Sequence, residues 1–137
     1  MAETLKLEIT TPQATVLQED VHMVTLPVLE GQIGIYPGHA RVITQIVPGE
    51  VIVTNSGEDR SLAVGEGLVE ITATAVAIIT DMAIPSDRID EAKVEEARRR
   101  AEARLQEKIS DEEVASVNAS LARSLAQLQV KRRPRRG

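Results

Sequence analysis

Apolar and polar positions alternate strictly over Leu5-Lys6-Leu7-Glu8-Ile9-Thr10. A period of two puts every second side chain on one face of a half-buried strand. Apolar, largely β-branched runs recur at Met23 to Val28, Val42 to Val47, Val51 to Thr54, Ser61 to Val64, Leu68 to Thr72 and Val76 to Thr80. Turn-forming residues separate them: Thr11-Pro12, Glu30-Gly31, Pro37-Gly38, Pro48-Gly49, Asn55-Ser56-Gly57 and Gly65-Glu66-Gly67. Many short strands at this spacing predict a small antiparallel β-sandwich or flattened barrel.

The period changes after Ile84-Pro85-Ser86-Asp87. Pro85 disfavours helix in the residue before it, and Ser86 or Asp87 suits the cap of a helix that follows. Arg88 to Ile109 is rich in the helix formers Ala, Glu and Arg, with Ala97, Ala101, Leu105 and Ile109 at every fourth position. Ser110-Asp111-Glu112-Glu113 fits a capping box, Ser110 as cap and Glu113 reaching back. A second helix then aligns Val114, Val117, Leu121, Leu125 and Leu128 on one face. The pattern predicts an α+β chain: a β-domain over residues 1–85, an antiparallel two-helix hairpin over 86–130, and a basic, disordered tail over 131–137. An Ala stripe against a Leu stripe buries little apolar area. At about 25 cal/mol per Å² the seam is worth a few kcal/mol, so a competing surface can open the hairpin.

Composition sharpens this picture in two places. Tyr36 is the single aromatic residue, so the core must be built from Val, Ile, Leu and Ala and will be thin, which makes dependence on a partner plausible. There is no Cys, which removes a disulfide framework, a thiol nucleophile and a Cys-based zinc site and fits a reducing compartment. The N-terminus lacks the pattern of a signal peptide, and no apolar stretch has the length of a membrane span.

Charge divides the chain at the same point as the periodicity. Up to Pro85 there are three basic residues against eleven acidic ones; beyond it, thirteen basic against ten acidic. After Glu113 no acid occurs, while Arg123, Lys131, Arg132, Arg133, Arg135 and Arg136 accumulate. Two parts of opposite sign imply different partners.

The residues offer no catalytic constellation. His22 and His39 lack companions at metal-ligand spacing, and no nucleophile elbow, HExxH or Walker loop occurs. His22, inside a strand-like run, reads as a core or edge residue. Gly31-Gln32-Ile33-Gly34 and Gly65-Glu66-Gly67 do not lead into helices, so they read as β-turns rather than phosphate cradles. Glu95, Glu96, Glu102 and Glu107 alternate with Arg98, Arg99, Arg100 and Arg104, which reads as a solvated helix face laced with ion pairs. The basic tail leaves three partners open: nucleic acid, anionic lipid or an acidic protein surface. A stand-alone binding module for nucleic acid or membrane is therefore the alternative, although Tyr36 alone is available for the stacking usual with single strands.

Glu30-Gly31-Gln32-Ile33-Gly34-Ile35-Tyr36-Pro37-Gly38-His39-Ala40 resembles the G-x-x-G-x-x-P-G-H-A turn of the epsilon subunits of F-type ATP synthases, followed as in that family by an apolar strand (Arg41 to Thr44) and Pro48-Gly49. Gly65-Glu66-Gly67-Leu68-Val69-Glu70-Ile71 and Val76 to Asp81 are similar to its G-G-x-x-E-V and x-x-A-D strands, with Glu66 for the usual Gly and Thr80 for the usual Ala. The resemblance covers the whole chain. It implies a non-catalytic rotor subunit whose partners are the gamma shaft, the c-subunit ring and the catalytic alpha/beta head. Nucleic acid has no part in it, and the membrane is reached only through the complex, on the cytoplasmic face of the inner membrane or the stromal face of a thylakoid. By the same resemblance Glu30 and Gly31 face the ring and His39 and Thr44 the shaft. Arg123, Lys131, Arg132 and Arg133 face an acidic loop of the head when the arm extends and blocks hydrolysis. Some members bind regulatory ATP through I/L-D-x-x-R-A. Ile89 and Asp90 match this motif, Lys93 and Val94 replace its Arg and Ala, and Arg100 and Arg104 fall where supporting arginines lie. No metal and no resident cofactor is implied.

Overall fold

The structure, a computed structural model, describes residues 3–133. Ten strands fill the first part: β1 (Leu5–Thr10), β2 (Thr15–Val21), β3 (Met23–Val28), β4 (Gly31–Ile35), β5 (Val42–Ile46), β6 (Gly49–Asn55), β7 (Glu58–Val64), β8 (Gly67–Ile71), β9 (Ala75–Thr80) and β10 (Ala83–Pro85). They hydrogen-bond in the order β10-β7-β6-β3-β5-β8-β9-β1-β2, with β4 paired to β3. A single residue pair, Val28 with Ile46, joins β3 to β5, and there the sheet folds over on itself. Leu5, Leu7, Ile9, Val69, Ile71, Val76 and Ile78 from one side meet Val24, Leu26, Val51, Val53, Leu62 and Val64 from the other. The alternation in β1 predicts its buried residues: Leu5, Leu7 and Ile9 are all at 1 % exposure or less.

Several local expectations change. The Gly31–Gly34 segment is a strand, not a turn. Leu29 and Glu30 make the turn, and Gly31–Ile35 folds back along β3 from Val28↔Gly31 to Val24↔Ile35. β2, diluted by Gln18, Glu19 and Asp20, has no clear alternation; it forms by pairing with β1 along its length. One pairing departs from the antiparallel rule, since β1 and β9 run parallel, Lys6↔Ala75 to Thr10↔Ile79. His22 lies between β2 and β3, where its Nδ1 accepts from the Ser56 amide at 2.9 Å. That bond holds a turn in which Ser56 (φ 54) and Gly57 (φ 81) are both left-handed.

Ser86–Arg88 forms a 3-10 turn with no side-chain cap, and the cap of the first helix is Asp90, whose carboxylate accepts from the Lys93 amide. Helix α1 spans Glu91–Leu105 and α2 spans Asp111–Arg132. Ser110 caps α2 through the Glu113 amide, but the other half of the capping box is missing because the Glu113 carboxylate is taken by Arg104 at 2.5 Å. Lys131 and Arg132 are the last turn of α2, not tail; Arg135, Arg136 and the rest of 134–137 lie outside the described residues.

The hairpin lies on the outer face of β6, β7 and β10. Ala63 on β7 and the flanking Met82 and Ile84 pack against Ile89, Val94, Leu128 and Val130. This explains why β6 is buried on both faces: Val51 and Val53 point into the sandwich core, while Glu50, on the opposite face with Ile52, is covered by Arg133 of the arm. The arm's buried residues all sit near the sandwich. Between Ala101 and Ala119 none is buried, so its distal half contributes little to docking. Leu125, placed by periodicity on the seam, is 48 % exposed; the buried face turns instead onto Ser124, Ala126, Leu128 and Val130.

Candidate functional site

Every basic side chain singled out on α2 is engaged within the chain. Arg123 reaches the Asp81 carboxylate at 3.4 Å and the Ser120 hydroxyl at 3.1 Å. Lys131 Nζ donates to the Ser86 carbonyl at 3.2 Å. Arg132 bridges Glu91 at 3.2 Å and Glu95 at 2.7 Å, tying the end of α2 to the start of α1. Arg133 donates to Glu50 Oε1 at 2.5 Å. Three of these four cations link the arm to the sandwich or to the 3-10 turn, and apart from Arg123 to Ser120 every contact spans more than thirty residues of chain.

Glu95 sits at the centre of this network. The guanidinium of Arg98, and after it that of Arg132, donates to its carboxylate and holds it below the usual glutamate range. The same bonds raise Arg98 and Arg132, and Glu107 with Glu113 does likewise for Arg104. Water and salt screen pairs at the surface of a helix, so these orient the helices more than they stabilise them.

Ile89, Asp90, Lys93, Arg100 and Arg104 are not assembled into a cradle. Ile89 is buried beneath the arm, and Asp90 is used as a helix cap. Lys93, Arg100 and Arg104 share one face of α1 by spacing. Arg100 is already paired with Glu96 at 2.9 Å, and Arg104 with Glu107 and Glu113. A triphosphate would have to displace three carboxylates to reach these arginines, and Lys93 lacks the planar fork of the family's Arg. Among the described residues no group of His, Asp and Glu is placed to hold a metal.

The opposite side of the sandwich carries a different surface. Glu30 and Gly31 lie at the exposed tip of the β3–β4 hairpin beside Leu29, which is 81 % exposed. His39 is half-buried, its Nδ1 2.6 Å from the Ala40 carbonyl. Thr44 pairs with Val69 and so shares its inward-facing side, while its neighbour Ile43 takes the outer face. Ile43, Leu68 and Ile79 are 62 %, 55 % and 64 % exposed, with Leu68 and Ile79 directly opposite across β8 and β9. Ile43 lies diagonally from Leu68, with Glu70 directly opposite it, and exposed apolar side chains gathered on one sheet face are the usual mark of a contact surface. Sequence reasoning missed it because strand alternation does not say which face is uncovered.

Together the fold and the arm define one class of protein, a β-sandwich that carries a helical hairpin docked on an outer face. The chain belongs to the epsilon chains of F-type ATP synthases. Residues 4–86 match the family "ATP synthase, Delta/Epsilon chain, beta-sandwich domain", and residues 87–132 match "ATP synthase, Delta/Epsilon chain, long alpha-helix domain". It is 38 % identical over 138 residues to ATP synthase epsilon chain 2 of Syntrophotalea carbinolica, with all of both chains covered. It is 36 % identical over 126 residues to the epsilon chain of Herpetosiphon aurantiacus, covering 92 % of this chain and 93 % of the relative. A chain from the Euglena gracilis mitochondrial ATP synthase (OSCP/F1/c-ring in rotational state 1) superimposes with a TM-score of 0.77 at 25 % identity, covering 92 % of this chain and 79 % of that one. No helix among the described residues is long and apolar enough to cross a membrane.

Proposed function

We propose that this chain is a non-catalytic rotor subunit that links the gamma shaft to the c-subunit ring and restrains ATP hydrolysis through its C-terminal arm. In this role it sits at the cytoplasmic face of the membrane through the complex. The observation that carries the inhibitory part is the double use of the arm's cations. Arg123, Lys131 and Arg133 are satisfied by Asp81, Ser86 and Glu50 when the arm is docked and become available to an acidic loop of the catalytic head when it leaves, whereas Arg132, bound to Glu91 and Glu95 within the arm, is released when the two helices separate. Because the docked footprint is small and apolar, with exposed pairs around it, such an exchange lies within reach of a competing surface.

The uncovered patch of Ile43, Leu68 and Ile79 suits the shaft, with His39 on the loop that leads into the same strand, β5. The Leu29-Glu30-Gly31 tip suits the ring. Hydrolysis by the complex should rise severalfold when the chain is replaced by a version ending at Pro85, while the shortened chain still binds the shaft. Leu68→Lys in the full chain should instead lose the shaft. Equal ATPase rates for the two lengths would reject the inhibitory role, and undiminished shaft binding by Leu68→Lys would reject the patch.

We further propose that the arm works without a regulatory nucleotide, because the arginines that would hold phosphate are committed to Glu96, Glu107 and Glu113. Calorimetry of the chain with ATP should give no saturable heat at submillimolar concentration; saturable binding abolished by Arg104→Ala would overturn this.

A further inference from the structure

Glu50 is the one charged residue in the arm's footprint that is almost completely covered, at 5 % exposure. It lies on β6 directly across from Ala63, which is fully buried and packs against the arm residues Leu128 and Val130. Its Oε1 accepts from Arg133, and its Oε2 has no hydrogen-bond partner among the described residues. A carboxylate in the middle of an apolar contact opposes that contact, because burying a charge is costly unless it is paired. Arg133 supplies the pair. It is the residue immediately after the last turn of α2, 83 positions along the chain from Glu50.

We propose that Glu50 and Arg133 form a conditional latch: the arm stays on the sandwich only while α2 is wound to its end and Arg133 neutralises Glu50. The Arg123–Asp81 and Arg132–Glu91 pairs are far more exposed and can be lost singly at little cost, and the less exposed Glu95 keeps Arg98 when Arg132 leaves. The Glu50 pair is different, because removing one member strands a buried charge. Arg133 therefore has two exclusive uses. If an acidic partner takes Arg133, Glu50 is left unpaired beneath the arm and the seat becomes unfavourable, so capture of this one cation both attracts the arm and prevents its return. Docked and released states are thereby made alternatives rather than a continuum. The consequence for hydrolysis rests on the inhibitory reading above; the latch itself does not.

The test uses the isolated full chain, so it is independent of any partner. The sequence has no Cys, and Gln13 and Glu112 are exposed, one beside β2 and one at the start of α2. Gln13→Cys and Glu112→Cys take nitroxide labels whose separation is read by pulsed electron paramagnetic resonance. Arg133→Ala is expected to raise the undocked fraction by at least about tenfold. Glu50→Met alone should keep the arm docked, and Glu50→Met with Arg133→Ala should return it to the seat, because the charge that needed a partner is gone. An unchanged distance distribution in Arg133→Ala would overturn the latch, and so would a double variant as open as Arg133→Ala. Circular dichroism of each variant separates undocking from unfolding. Should Arg133→Ala fail to fold, the double variant decides alone: docked supports the latch and open overturns it. A latch that fails here leaves the ATPase comparison untouched, and equal ATPase rates leave the latch standing.

Discussion

Gly67→Ala is expected to destabilise the sandwich by about 3 kcal/mol or more, enough to unfold a large fraction of a domain this thin. A Cβ at Gly67 would stand 2.0 Å from the Ile79 carbonyl oxygen and 2.8 Å from Thr80 Cα. Both obstacles are backbone, so no rotamer change relieves them; β8 and β9 would have to part at Gly67↔Thr80. That also strips the Thr80 hydroxyl, 3 % exposed, of its bond to the Glu66 carbonyl at 2.9 Å. The neighbouring Gly65 is crowded differently: its nearest atom is Asp81 Oδ1, at the end of a side chain that can swing away, though at the expense of Arg123. Gly57→Ala makes the useful contrast. No atom lies within 4 Å of its Cβ, and its cost is the left-handed backbone at φ 81 alone, about 1–2 kcal/mol. Urea unfolding of the three proteins checks the order, and a Gly67→Ala midpoint within the error of Gly57→Ala would refute the steric account.

Leu128→Asp should release the arm and leave the sandwich folded. Leu128 is 4 % exposed and shares one cluster with Ala63, Ile89, Val94 and Val130. Loss of its burial is worth about 2–5 kcal/mol, and a carboxylate placed there has no free cation beside it, since Arg133 is held by Glu50. The total equals or exceeds what so small a contact supplies. The sandwich core forms a separate cluster that includes none of the arm's residues, so it has no reason to follow. Hydrogen exchange should show protection lost through α1 and α2 and retained in β1, β3 and β9. Leu125→Asp, at a position already 48 % exposed, should change stability by no more than about 0.5 kcal/mol. Equal effects at the two leucines would mean that the arm docks through a different face from the one described.

The two leucines show where sequence reading stops. Both fit the same 3.6-residue stripe, and periodicity cannot separate them because it assumes one neighbour along the whole helix. In the fold α2 is tied to α1 at both ends, by Glu113 with Arg104 and by Arg132 with Glu91 and Glu95, but meets β6 and β7 through Leu128, Val130 and Arg133 near its end. The buried face therefore changes along the helix. The ATP-motif residues tell a related story. Their spacing aligns Lys93, Arg100 and Arg104 on one face, yet whether a phosphate can reach them depends on Glu113, which belongs to the other helix. On the sandwich, Ile43, Leu68 and Ile79 were legible as strand residues but not as an uncovered patch.

What the sequence determined by itself was local in origin. The change from strand to helix after Pro85, the buried side of β1, the Ser110 cap and the sign change in charge all follow from residues a few positions apart, where periodicity and backbone chemistry act directly. The tertiary structure alone decided which outer face the arm covers and that β1 lies parallel to β9. It also decided that a buried Glu50 awaits Arg133 from 83 residues away. Those outcomes depend on the energy of bringing distant segments together, and no pattern within either segment records the other's charge or shape.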